Sequence, residues 1–309
     1  MSSGSQQALE CSVETVVGTT PFPFDRKLIR MTSVSIDGEP TTTPSEEITD
    51  TMMPEGDYKT GVTYSGDING ELSVGTFDDF FAAAFHNDWL NDELTLSTVK
   101  KAFSIIRAYK DSGGYHIFRG MQVVSMTLTV PEEGIIQVSF TLQGTGRSPV
   151  TFTIPDGVIE PVNTNKLLTN VGVGSVLVDG QTLTNEACVT AFSLTIEFSV
   201  EAQKCFGLGL SVGKLISTGV NVTGQMTLAW GDEAASLNEL KFTDEAVEIF
   251  IDMVDETGHG YSVTVPEATL SGALPSGSRT DILQYQVNYT ARRRSPIFRR
   301  VKPGNANLP

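Results

Sequence analysis

From Ser65 to Phe85 the chain reads SGDINGELSVGTFDDFFAAAF. Ile68, Leu72 and Val74, with Gly70 in the same row, alternate with Asp67, Asn69, Glu71 and Ser73. This period of two predicts a strand with one buried face and one face open to water or a partner. After Gly75 the period changes: Phe77, Phe80, Phe81, Ala84 and Phe85 recur at helical spacing, Thr76 is placed to cap, and Asp79 follows three residues on. A strand running into a short apolar helix is therefore expected, and the helix must pack on something.

The stretch recurs from Asn221 to Leu240 as NVTGQMTLAWGDEAASLNEL. Val222, Gly224, Met226 and Leu228 lie over Ile68, Gly70, Leu72 and Val74, and Asp232-Glu233 lies over Asp78-Asp79. We read a duplication of one supersecondary unit.

Residues 1–30 begin polar and turn apolar around Pro21 and Pro23, which predicts a docking arm without regular structure. Thr32 to Ile36 reads as a strand. Residues 37–61 read as a long acidic loop, because Pro40, Pro44 and Pro54 oppose a strand ladder and Glu39, Glu46, Glu47, Asp50, Glu55 and Asp57 crowd it. Residues 98–109 read as a strand on their β-branched residues. Residues 115–130 are strand-rich and Pro131 to Gly134 a turn. Ile136, Val138, Phe140 and Leu142 alternate with Gln137, Ser139, Thr141 and Gln143, which completes a hairpin. Periodicity fades over 144–170, and a short hairpin turning at Val178-Asp-Gly-Gln181 follows. Strands are then expected at 191–200 and 258–265, with an apolar Gly-rich loop at 201–219. Leu283, Tyr285, Val287 and Tyr289 form a last alternating run.

The organisation expected is an arm at 1–30, a first unit at 31–146, a linker with a short hairpin at 147–189, a second unit at 190–291 and a basic tail at 292–309. With 309 residues the chain can hold two cores. The mean hydropathy of -0.04 and 39% hydrophobic residues describe a globular protein. No apolar run reaches the ~18 residues of a membrane span, and the first twelve residues do not read as an export signal. Three separated cysteines, Cys11, Cys188 and Cys205, read as reduced thiols. The net charge is -16, yet Arg292, Arg293, Arg294, Arg299, Arg300 and Lys302 crowd the C-terminus; without these six cations the remainder carries -22. Such a body repels a phosphate backbone.

Catalytic chemistry finds no foothold. His86, His116 and His259 stand in no metal-binding or nucleophile-activating constellation. Asp78 and Asp79 are adjacent at a helix start, where they suit the helix dipole rather than acid and base work. Gly207 and Gly209 are mis-spaced for a phosphate-binding loop, with Leu215 after Lys214, and Gly172-Val-Gly174 lacks the helix a dinucleotide site needs. No cofactor or metal is expected.

Three separated segments agree in order with one known family: SGDINGELSVGTFDDFFAAAF, FRGMQVVSMTLTVPEEGIIQVSFTLQG (118–144) and VGKLISTGVNVTGQMTLAW (212–230). Together they resemble the major tail tube proteins of long-tailed, non-contractile bacteriophages, from about Val13 to Ala291. The resemblance implies a mainly β protein of two tandem tail-tube-like β-sandwich or barrel units, each with a short flanking helix. It implies a structural virion protein, made in the host cytoplasm, that assembles into stacked rings conducting double-stranded DNA. Implied partners are other copies of the chain, a tape measure protein, a tail terminator and distal tail proteins, with DNA in transit bound without specificity and no membrane. A β-sandwich receptor-binding or adhesin module is the competing class.

On this reading Asp67, Asn69, Glu71, Ser73, Gln137, Ser139, Thr141, Gln143, Thr223, Gln225, Gln284, Gln286 and Asn288 are expected to line the lumen. Glu46, Glu47, Asp50, Leu208, Leu210 and Leu215 are expected to stack rings. Arg292, Arg293, Arg294, Arg299 and Arg300 are expected to form an arm laid on a neighbouring subunit. Four strands per unit predict a homotrimer with a ring that looks six-fold; the alternative is a true hexamer in which one unit of each chain faces the lumen and the other decorates the outside.

Overall fold

The computed structural model describes residues 4–303 apart from 49, 51, 54, 55, 112, 154, 155, 175 and 184–187. Pro54, Glu55 and residues 304–309 of the basic tail thus lie outside the described residues. The chain is mainly β. Its first half runs β1 (Gln7–Val13), β2 (Arg26–Leu28), β3 (Ser33–Val34), β4 (Asp37–Pro44), β5 (Asp57–Glu71), α1 (Asp78–Ala84), β6 (Glu93–Thr95), β7 (Phe103–Tyr109), β8 (Gly114–Val130), β9 (Gln137–Gly144) and β10 (Gly146–Arg147). After β11 (Ile159–Glu160) come β12 (Leu177–Val178), β13 (Gln181–Thr182), β14 (Val189–Gln203), β15 (Lys214–Ala229), α2 (Asp232–Leu240), β16 (Val247–Val254), β17 (Gly260–Ser271), β18 (Gln284–Ala291) and β19 (Ile297–Val301).

The pairing repeats as the sequence does. Strands β4, β5, β9, β8 and β7 are antiparallel neighbours in that order, and so are β14, β15, β18, β17 and β16. The paired strands β1 and β2 border β7, as β12 and β13 border β16. β10 folds back on β8 as β19 does on β17. The glycines shared by the two copies have one job. A Cβ on Gly70 would come within 2.3 Å of the Phe77 ring, and one on Gly224 within 2.2 Å of the Tyr289 ring. Each glycine leaves room for an aromatic side chain laid across its strand.

The core lies between this sheet and α1. Phe80 stacks on Phe103 at 4.8 Å, and Phe77, Phe80 and Phe81 surround Phe140 at 5.3–5.7 Å between ring centres. Thr76 does not cap α1: Phe77 holds the N-cap position, and the Thr76 hydroxyl instead bonds the Ser73 hydroxyl at 2.6 Å. Ser73 is buried and needs that partner more than the helix needs a cap.

Other expectations are corrected. The N-terminal segment holds a regular strand, β1, paired along its length with β7. Its alternation was hidden because Glu10, buried in the middle of it, is held at 2.8 Å by the equally buried Arg26. The acidic loop is largely the β4–β5 hairpin, with Pro40 opposite Val62. Among the described residues β4 is an edge strand paired only with β5, where proline is tolerated. Likewise β14 and β15 extend to Gln203 and from Lys214, which shortens the apolar loop to 204–213. β16, a near-continuous apolar run VEIFIDMV, was missed because it is covered on both faces and lacks alternation.

The basic tail is a strand. β19 pairs with β17 of the second half and β6 of the first, and Phe298 is fully buried against Phe81, Tyr261 and Trp89. Its acids are those of its own chain. Arg299 meets Glu93 at 2.6 Å, Arg300 meets Asp78 at 2.7 Å and Asp92 at 3.5 Å, and Lys302 pairs with Asp92. Arg300 also stacks over Trp89 at 3.8 Å. The hydrogen bond from Lys302 holds the Asp92 carboxyl below the usual carboxylate range. Arg292 and Arg294 reach Asp244 and Glu267 at 3.8 and 3.3 Å, and Arg293 is exposed. Arg299 and Arg300 are thereby engaged within the chain rather than extended toward a neighbour.

His86 marks the seam between the halves, its ring stacked on Phe198 of β14 at 3.9 Å. Burial first, and Lys100 second, push its pKa down to about 4. The unfolded chain then takes up this proton at higher pH than the folded one, so the stability due to neutral His86 is full above its ordinary pKa of 6.5 and is lost as pH falls toward 4. Thermal melts should show a steeper loss of Tm between those pH values in the native chain than in His86→Gln; parallel curves would contradict the assignment.

Candidate functional site

Eight strands form one antiparallel sheet across both halves, in the order β4 (with β3), β5, β9, β8, β14, β15, β18, β17. The join is β8 to β14, with Thr127 opposite Thr195. Because every neighbour is antiparallel and in register, side chains of one parity form continuous rows. The middle row is Ser33, Asn69, Ser139, Thr127, Thr195, Thr223, Thr290 and Thr269, one residue from each strand, with Ser33 of β3 standing for the β3–β4 edge. A row on one side of it runs Glu71, Gln137, Thr129, Ser193, Gln225, Asn288 and Ser271, and one on the other side Asp67, Thr141, Ser125, Glu197 and Asn221. Residues of opposite parity, such as Ile68, Phe140, Met126 and Ile196, are buried.

Hydrogen bonds tie the polar side chains across the strands. Thr141 Oγ1 donates to Asp67 Oδ1 at 2.7 Å, Asn69 Nδ2 to Ser33 Oγ at 2.9 Å and Gln225 Nε2 to Asn288 Oδ1 at 3.0 Å, while the Thr127 and Thr195 hydroxyls lie 3.2 Å apart. The only ionisable groups in the three rows are Asp67, Glu71 and Glu197. This is a hydroxyl, amide and carboxylate surface without a cation.

Of the residues singled out from sequence, Asp67, Asn69, Glu71, Gln137, Ser139, Thr141, Thr223, Gln225 and Asn288 share this face. Gln143, Gln284 and Gln286 extend it by the same parity. Ser73 does not belong: it is buried beyond the end of β5. Sequence reasoning missed Ser125, Thr127 and Thr129 of β8, Ser193, Thr195 and Glu197 of β14, and Thr269 and Ser271 of β17. The alternation in SMTLTV and SLTIEF carried that signal.

The alternation of strand directions puts the β4–β5 and β14–β15 tips at one end of the sheet and both helices at the other. At the tip end Phe206, Ile48 and Met52 are fully exposed, Leu208 and Leu210 about half. The β14–β15 loop lies against β5, the Val62 N–H donating to the Leu210 carbonyl at 3.3 Å. Glu46, Glu47 and Asp50 lie exposed beside the tips. Leu215 is buried, so its side chain offers no surface there. At the helix end Leu274, Ile282 and Leu283 of the β17–β18 loop are exposed.

No cluster of three or more metal-binding side chains exists among the described residues, and no helix among them is long and apolar enough to cross a membrane. Burial raises the Cys11 thiol to about 12, which makes it unreactive. The distinctive surface of the chain is this polar sheet face. The chain belongs to a family described as phage tail tube protein, whose family model matches residues 4–291. No curated protein matches the chain. Membership places it in the tail of a phage virion as a structural component of the tube.

Proposed function

We propose that three copies close their eight-stranded sheets into one 24-stranded barrel, with the polar face inward, and that such rings stack into the tube through which double-stranded DNA is ejected. The observation that carries this reading is the middle row, polar in all eight strands and free of cations. Strands about 4.8 Å apart and tilted about 45° put 24 of them on a cylinder roughly 50 Å across, and side chains reduce the bore to about 40 Å. A duplex fits, and three central rows with no cation give its phosphates nothing to hold. Two units related by duplication make the ring look six-fold. The exposed apolar tips of one ring stack on the β17–β18 loops of the next, a head-to-tail contact that propagates without closing. Partners at the ends and inside the tube are the terminator, distal tail and tape measure proteins, and subunits are made in the host cytoplasm before assembly.

Thr195→Cys, in a chain with Cys188 and Cys205 replaced by serine, tests the orientation. In free subunits it should react with a polymer-linked maleimide wider than the ~40 Å bore. In tubes it should react only with a small maleimide. Equal labelling of tubes by both reagents would put the polar face outside.

A further inference from the structure

The sheet has two open ends. Among the described residues β3 and β4 pair only with β5, and β17 beyond Ala268 pairs only with β18. β16 leaves the edge of β17 at Ala268, as β7 leaves the edge of β8 at Met121. In the first half the edge freed in this way is taken by β14, which is the structural copy of β3 and β4. The copy on β17 is vacant within the chain, so the internal join is a template for a contact that one chain cannot make with itself.

The template fixes a register. Thr195 and Ser33 are equivalent because they face Thr223 and Asn69, which the duplication superimposes. Thr127 and Thr269 are equivalent because they face Ser139 and Thr290, the partners of Asn69 and Thr223. Within the chain Thr127 stands opposite Thr195, running antiparallel. We propose that Ser33 of one copy stands opposite Thr269 of the next, with Thr32 opposite Leu270 and Met31 opposite Ser271. This rests on the ring reading above and adds the register to it. The pairing continues the alternation of strand directions without a break, since β4 and β17 end an even number of antiparallel strands. It also completes the middle row, Thr269 handing on to Ser33 of the next copy. Of the six residues in the proposed contact, Met31 to Ser33 and Thr269 to Ser271, all but Met31 and Leu270 are polar, which limits promiscuous pairing of the two edges.

Paired cysteines read the register directly. In a chain lacking Cys188 and Cys205, Ser33→Cys with Thr269→Cys should give covalently closed trimers from assembled rings under mild oxidation, lost on reduction. Ser35→Cys with Thr269→Cys is displaced by two residues, a diagonal separation of ~7–8 Å that a disulfide does not span, and should leave single chains. Thr127→Cys with Thr195→Cys should close within one chain and calibrates the yield. If rings form but the displaced pair cross-links and the first does not, the register is overturned while the ring stands. If native chains form no rings, both readings fall together.

Discussion

Replacing Phe298 by alanine is expected to lower the stability of the folded chain by about 3–5 kcal/mol. The side chain is fully buried and its ring lies 4.6 Å from Phe81, 5.1 Å from Tyr261 and 5.9 Å from Phe85. It comes from the last strand, yet Phe81 and Phe85 belong to the first half, so the cavity opens where the two halves are held together. The loss is a large share of the ~5–15 kcal/mol that stabilises a typical protein. Arg293→Ala, on the exposed turn before the strand, should change stability by no more than ~0.5 kcal/mol. Denaturant titration of the two variants separates a structural strand from a solvated tail. Equal midpoints for Phe298→Ala and the native chain would show that β19 is dispensable.

The second large effect concerns the loop between β14 and β15. Phe206 is fully exposed and Leu208 and Leu210 about half exposed, at the end of the sheet that carries both hairpin tips. Covering such a side chain stabilises a contact by up to about 1.5–3 kcal/mol, and the proposed ring of three chains would present nine of them. Replacing all three by serine should therefore leave intact rings that no longer form long tubes, since all three side chains are exposed and lie outside the core. Electron micrographs of assembled protein decide it. Tubes of native length from the triple variant would remove the tips from the stacking contact, and loss of rings as well as tubes would assign the loop to the ring itself.

How much of this was legible depends on which force set each element. The strand and helix of 65–85 were plain because one face is uniformly apolar, and the copy at 221–240 was plain because the spacing of Gly224 and Asp232 survived. The polar face was half legible: Gln137, Ser139, Thr141 and Gln143 alternate cleanly, whereas Thr127 and Thr195 pass for ordinary strand threonines until the pairing sets them side by side. β4 was obscured by Pro40 and Pro44, residues that an edge strand tolerates and a central strand does not. The tail was read through its charge, but Phe298 decides its place and the arginines follow it onto Asp78, Asp92 and Glu93. Ser73 continued the alternation of β5 by one position past its end, where the chain turns inward. No local pattern carries the β8 to β14 join, because it brings together residues far apart in sequence.

The mass of a single ring tests the central claim most directly. Eight strands per chain and one continuous polar row predict three chains, roughly 100 kDa for subunits of 33.3 kDa. Native mass measurement of rings held apart by the Phe206, Leu208 and Leu210 substitutions should give that value, with no hexamer. Six chains per ring, about twice the mass, would mean that only half of each sheet lines the bore and would contradict the account.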